Sequence, residues 1–184
     1  MTSLLSLFPS PSSDRSPART PILLVSLLVA GTFSSCSLKT HSDVEESIFG
    51  GPDARDVVET ATQVVAHRID PTDINYGRPA ADYPQVGDPV PLDATQREAI
   101  QRLLLSPDSY GWDYAKGCLP TPGVRLVFTA PGGEAQVLLC YECLILAVDH
   151  GGKIVGGEDF DPIESELVAL AKALFPDDEA IQDL

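Results

Sequence analysis

Basic side chains are scarce in this chain: its 184 residues hold 12 Lys and Arg against 27 Asp and Glu, a formal charge of −15. Nucleic-acid binding is disfavoured outright, because it needs basic patches to neutralise phosphates. Direct adhesion to anionic lipid headgroups fails on the same ground. No apolar run is long enough for a comfortable bilayer span, which takes roughly 20 residues. Several catalytic signatures are also missing: there is no Gly-x-Ser-x-Gly elbow, no Gly-rich phosphate loop and no calcium-hand pattern. No internal repeat is visible, and no cofactor is implied.

The longest apolar run that does occur is Pro21–Ala30, preceded by Arg15 and Arg19 and followed by Gly31-Thr32-Phe33-Ser34-Ser35-Cys36. A positive segment, an apolar segment of about a dozen residues and a small-residue exit make a secretory signal. The Ser34-Ser35-Cys36 ending resembles the lipobox of bacterial lipoproteins, with Phe33 where an aliphatic side chain is usual. That resemblance implies cleavage after Ser35, a diacylglyceryl thioether on Cys36, and export to the cell envelope. A second, amide-linked chain would make the anchoring stable, since one chain holds only marginally. Ser37 after the cysteine favours the outer membrane or the periplasmic side. Two alternatives remain open: an ordinary signal peptide cut near Ala30 or Ser35, leaving Cys36 a plain thiol, and an uncleaved signal anchor.

The leader contains Arg15, Arg19 and Asp14, so residues 36–184 carry 10 basic and 26 acidic side chains, a charge of −16. Their 149 residues suit one domain with its own core. Such charge keeps neighbours apart in solution, and it fits a basic protein partner.

Residues 36–52 are expected to be a lipidated polar tether, and residues 53–184 a single α+β domain. Asp53 is positioned to cap a first helix running to about Ile69, with Val57, Val58, Ala61, Val64, Val65 and Ile69 on one face. Five prolines make residues 71–91 a long loop or a wrap over the surface. Asp93 and Gln96 form a capping-box pair opening a helix that ends at Ser106-Pro107. The aromatic segment 109–114 is expected to plug one end of the core.

From Val124 the apolar period becomes two. Strands at 124–129 and 135–140 flank Pro131-Gly132-Gly133-Glu134, a hairpin signal; 144–148 and 153–155 read as third and fourth strands. A last helix is expected from Asp161, with Pro162 at its first position and Glu164 three residues after the cap. Residues 177–184 read as an acidic tail. The expected architecture is an antiparallel four-stranded β-meander with helices packed on one face.

Cys118, Cys140 and Cys143 are the cysteines downstream of Cys36. Cys140-Tyr141-Glu142-Cys143 is a CxxC, yet a strand follows it rather than the helix whose N-terminus would activate a thioredoxin-type thiol. A c-type haem would need His where Leu144 stands, and a zinc site would need more ligands than Cys118 and His150 supply. One structural disulfide from Cys118 to Cys140 or Cys143 is expected. The leftover thiol keeps a thiol-disulfide or metal-handling role open for Cys118, Cys140, Cys143 and His150. Glu158, Asp159 and Asp161 are read as a helix cap and a solvated loop, and no catalytic residue is assigned.

Lys116-Gly117-Cys118, Pro122-Gly123-Val124, Leu139-Cys140-Tyr141-Glu142-Cys143, Gly156–Pro162 and Leu174–Asp177 together resemble a group of uncharacterised exported bacterial proteins. The resemblance covers about residues 108–184 and implies that the three cysteines act as a unit, without an activity. The reading is therefore a non-catalytic envelope lipoprotein that binds or supports a partner. The alternatives are the thiol or metal role and, on charge alone, an acidic inhibitor or immunity-type protein.

Overall fold

A computed structural model describes residues 39–72 and 77–184. The expected signal peptide and the lipidation candidate Cys36 lie outside the described residues.

Six strands form one antiparallel sheet: β1 (Gln63–Arg68), β2 (Val90–Pro91), β3 (Val124–Ala130), β4 (Gly133–Cys140), β5 (Ile145–His150) and β6 (Ile154–Asp159). Their spatial order is β2-β1-β3-β4-β5-β6. The α+β class and the meander from β3 to β6 match expectation, but the sheet has six strands rather than four. The additions are β1, which pairs with β3 through Val64–Phe128 and Val65–Val127, and β2, which pairs with the far side of β1. The expected helix to Ile69 ends early. Helix α2 covers only Pro52–Thr60, with Gly51 rather than Asp53 at its cap position. Ala61, Val64 and Val65 fit a helical face, whereas Val64 and Ala66, two apart, share a face only in a strand; pairing with β3 selects the strand, and both side chains are fully buried. The β3–β4 hairpin pairs Val124 with Leu139. A hairpin closed on Gly132-Gly133 would set Cys143 against Pro122; the observed register differs from that by two residues. A shift of two keeps every side chain on its face.

Leu126 and Phe128 of β3, Val137 and Leu139 of β4, and Leu146 and Val148 of β5 supply the main apolar face. Helix α2 covers it with Val57 and Val58, helix α3 (Ala94–Leu105) with Ile100 and Leu104, and helix α4 (Glu164–Leu174) with Leu167 and Ala171. The Asp93 capping box forms as expected: Gln96 N–H donates to Asp93 Oδ1 at 2.8 Å, and Asp93 N–H donates back to Gln96 Oε1 at 3.0 Å.

The polar tether is a correction. His41–Ser47 forms helix α1, capped by Thr40 and Asp43, and Val44, Ile48 and Phe49 are no more than 1% exposed. Three apolar residues spaced four and five apart bury this otherwise polar stretch. The chain after α1 lies directly against β6, where a Cβ on Gly156 would strike the carbonyl oxygens of Ser47 and Ile48. That contact covers the outer edge of the sheet.

The opposite sheet face is covered in part by the Pro-rich segment. Ile69, Ala80, Tyr83 and Leu138 form a smaller apolar cluster there. The buried Asp149 carboxylate accepts from Ala80 N–H at 2.7 Å and Gly152 N–H at 3.0 Å, while Arg125 donates to the Ala80 carbonyl at 2.8 Å. The acidic tail is docked rather than free. Helix α5 (Glu179–Gln182) buries Ile181, and Asp178 pairs with the nearly buried Arg68 at 2.7 Å. Among the described residues, no helix is long and apolar enough to cross a membrane.

Truncating Phe49 to Ala should destabilise the fold by about 3–5 kcal/mol, the usual result of emptying a buried aromatic site. Urea unfolding measures this. A change below about 0.5 kcal/mol, the level of an inert surface site, would return residues 37–50 to the role of a tether.

Candidate functional site

Between Gly111 and Val124 the chain leaves regular structure, so its own ladders cannot hold it. Its entry into this loop is fixed by aromatics. The buried Tyr110 hydroxyl donates to Leu104 O at 2.6 Å, Trp112 Nε1 donates to Pro107 O at 2.7 Å, and the two rings meet edge-on at 5.4 Å. Gly111 N–H then reaches Asp159 O at 2.8 Å.

Beyond that point three side-chain attachments fasten the loop to the β4–β5 turn. Lys116 Nζ donates to the Cys143 carbonyl at 2.9 Å and to Asp161 Oδ2 at 2.5 Å. Cys118 and Cys143 form a disulfide with their Cα atoms 6.0 Å apart. Thr121 N–H donates to Cys140 Sγ at 3.2 Å, and its hydroxyl donates to Glu142 Oε2 at 3.2 Å. Gly123 N–H finally joins the sheet at Leu139 O, 3.0 Å away.

The three cysteines expected to act together are therefore brought together. Of the two open pairings the structure carries Cys118–Cys143, leaving Cys140 a free, fully buried thiol. Cys140 Sγ also accepts from Cys143 N–H at 3.4 Å, inside the turn 141–144. Leu144 closes that turn at φ 55°, a left-handed conformation that costs a non-glycine residue about 1–3 kcal/mol. Phe160 N–H donates to Leu144 O at 2.8 Å and helps hold it there. The sulfurs differ in access: Cys118 is exposed, whereas Cys143 is 4% exposed. Beside Cys118 the loop presents Leu119, 72% exposed; Tyr114, 49% exposed, lies earlier in the loop with its hydroxyl end against Gly111.

His150 does not join them. It pairs with Ala135 at the other end of β5, five residues along from Ile145, which pairs with Cys140. That separation is about 17 Å at the usual strand rise. Its Nδ1 faces Glu134 O at 3.0 Å. Among the described residues, no three His, Cys, Asp or Glu side chains converge as a metal ligand set.

The acidic residues before α4 also differ from expectation. Asp161 starts a 3-10 turn rather than capping the helix, and its side chain makes no cap hydrogen bond. Burial pushes the Asp161 carboxyl up, but donation from Lys116 and that cation's charge outweigh it, holding the group below its usual range. Asp159 has the opposite balance: burial raises it, Lys116 opposes, and Glu158 and Asp161 add to the rise. Its Oδ2 is buried without a hydrogen-bond partner. Sequence reasoning overlooked Lys116; its place two residues before a cysteine was the available signal.

A cleft of about 600 Å³ lies elsewhere, between the Pro-rich segment and residues 174–180. Arg68 lines it but is turned onto Asp178 and the Ile69 and Gly123 carbonyls. Comparison with protein-family models, curated proteins and solved structures gave no match.

Two outcomes follow from this geometry. The disulfide spans a sequence separation of 25. Chain-entropy reasoning gives such a loop about 3–4 kcal/mol, so a phosphine reductant should lower the urea-unfolding free energy by that amount. An unchanged midpoint would mean the staple adds nothing. For Asp159, a raised folded pKa favours its neutral form. The stability that gives is present below the unfolded value near 3.9 and is lost as pH rises through the folded value. Asp159→Asn should therefore gain on wild type as pH rises from about 3 to about 7, read as melting temperature. A difference independent of pH would contradict this.

Proposed function

We propose that the chain is an exported bacterial lipoprotein, anchored through Cys36, whose folded body binds or supports a protein partner without catalysing a reaction. The observation that carries this reading is the Cys118–Cys143 disulfide, which staples an irregular loop and leaves Leu119 and Tyr114 facing solvent. Disulfides persist in oxidising compartments, where a signal at residues 15–36 would send the chain. A loop already fixed by a covalent bond and by Lys116 and Thr121 loses little freedom on docking, so its exposed side chains can contribute most of their contact energy.

Charge narrows the partner. With −16 on residues 36–184, a basic protein surface would be drawn in and an acidic one repelled. Several of the few cations are spent internally: Arg68 on Asp178, Arg125 on Ala80 and Lys116 on Asp161. The membrane would be reached through acyl chains on Cys36 rather than through the protein surface, at the outer membrane or its periplasmic side.

Expression of the full chain in a bacterial host with labelled palmitate tests the reading. The wild type should take up label and sediment with membranes, and Cys36→Ser should do neither. A wild-type protein that is unlabelled and soluble would contradict the anchor. One recovered with Cys118 and Cys143 reduced would contradict export.

A further inference from the structure

We propose that Cys118, Cys140 and Cys143 form a thiol–disulfide exchange site, in which Cys140 is the internal nucleophile and Cys118 the sulfur released to solvent. This goes beyond the anchoring and binding reading, on which it rests only in needing an oxidising compartment. The site would take a disulfide-bearing protein or peptide.

Three features of the geometry point to it. First, Cys140 is a free thiol hydrogen-bonded to the backbone of a bridged residue: Cys143 N–H donates to its sulfur at 3.4 Å, and Thr121 N–H, on the bridged loop, donates at 3.2 Å. Two amide donors aimed at one sulfur fix its position between the loop and the turn. Second, the two ends of the bridge differ. Cys143 sits on the turn beside Cys140, while Cys118 sits on an exposed irregular loop where a departing thiolate would be solvated. Exchange is favoured by a leaving sulfur with access to water. Third, the turn that must shift, residues 141–144, contains the left-handed Leu144, so its present conformation is not a relaxed one.

In the first step, the turn 141–144 shifts and admits water, Cys140 gives its proton to that water, and its thiolate attacks Cys143 Sγ. The Cys140–Cys143 bond forms, the Cys118–Cys143 bond breaks, and Cys118 leaves as a thiolate. The number of disulfides is unchanged, so no oxidant or reductant enters. In the second step the Cys118 thiolate attacks a partner's disulfide: a mixed disulfide forms at Cys118 and the partner's other sulfur leaves as a thiolate. Leu119, next in sequence to the reacting sulfur and largely exposed, would meet the partner's apolar surface.

The test uses the full chain, taken from membranes under acid quench. It is incubated without reductant at several pH values in the presence of a maleimide, and then mapped by mass spectrometry. Maleimide traps the released thiol, so even a minor exchanged form accumulates. The expected result is label on Cys118 alone with Cys140–Cys143 bridged, forming roughly tenfold faster per pH unit below the thiol pKa. Cys140→Ser should abolish that label. Cys140→Ala, with Cys118–Cys143 bridging as the check on folding, should do the same if the serine variant does not fold. Oxidised glutathione should place one adduct on Cys118 in wild type and none in either variant. The proposal is overturned if Cys118 stays unlabelled at every pH while Cys140 reacts only on unfolding. Equal labelling of Cys118 and Cys143 is plain reduction and overturns it too. Label on Cys36 would sink the lipid anchor and leave the exchange standing.

Discussion

An apolar sheet face must be kept from water, and Leu126, Phe128, Val137, Leu139, Leu146 and Val148 make such a face across β3, β4 and β5. Burial at about 25 cal/mol per Å² is the largest force available to a chain of this size. It sets where α1 to α4 lie and why residues 41–50 cannot remain a free tether. Near β6 the cover is the Tyr110–Trp112 corner, which carries the chain out over the β4–β5 turn. A loop that leaves there has no ladder to join for a dozen residues. The lysine, the disulfide and the threonine supply what backbone pairing does not, and the exposed Leu119 and Tyr114 are held in place as a result.

How much of this was legible depends on whether the deciding interaction was local. The α3 capping box is set within four residues and forms where the residues place it; the hairpin turn also forms, but on Pro131-Gly132, one residue before the Gly132-Gly133 pair. The stretch 61–69 was ambiguous because Ala61, Val64 and Val65 fit a helix while Val64 and Ala66 fit a strand, and only strand partners 60 and 64 residues away decide between them. The Asp161-Pro162-Ile163-Glu164 pattern is a good local cap, but a Lys116 side chain 45 residues distant takes the carboxylate instead. Sparse burial was also hard to see: Val44, Ile48 and Phe49 are few, yet all three are core.

At the site, the gathering of Cys118 with Cys140 and Cys143 was legible from the hairpin, since Cys118 must return close to the end of β4. The choice between Cys140 and Cys143 was not. It follows from which sulfur the turn 141–144 directs toward the loop, and Leu144 at φ 55° is invisible in a sequence. The placement of His150 was decided by the length of β5, which separates it from the thiols. Charge acts at both levels: a chain poor in cations uses Arg68, Arg125 and Lys116 as internal ties, leaving the surface more uniformly acidic than composition alone implies.

Amide hydrogen exchange on oxidised and reduced protein tests the central claim, that the staple orders the loop on a sheet that stands without it. The account predicts faster exchange on reduction at Gly111, Thr121 and Gly123, with β3, β4 and β5 protected as before. Uniform acceleration across the sheet, or no change in the loop, would contradict it.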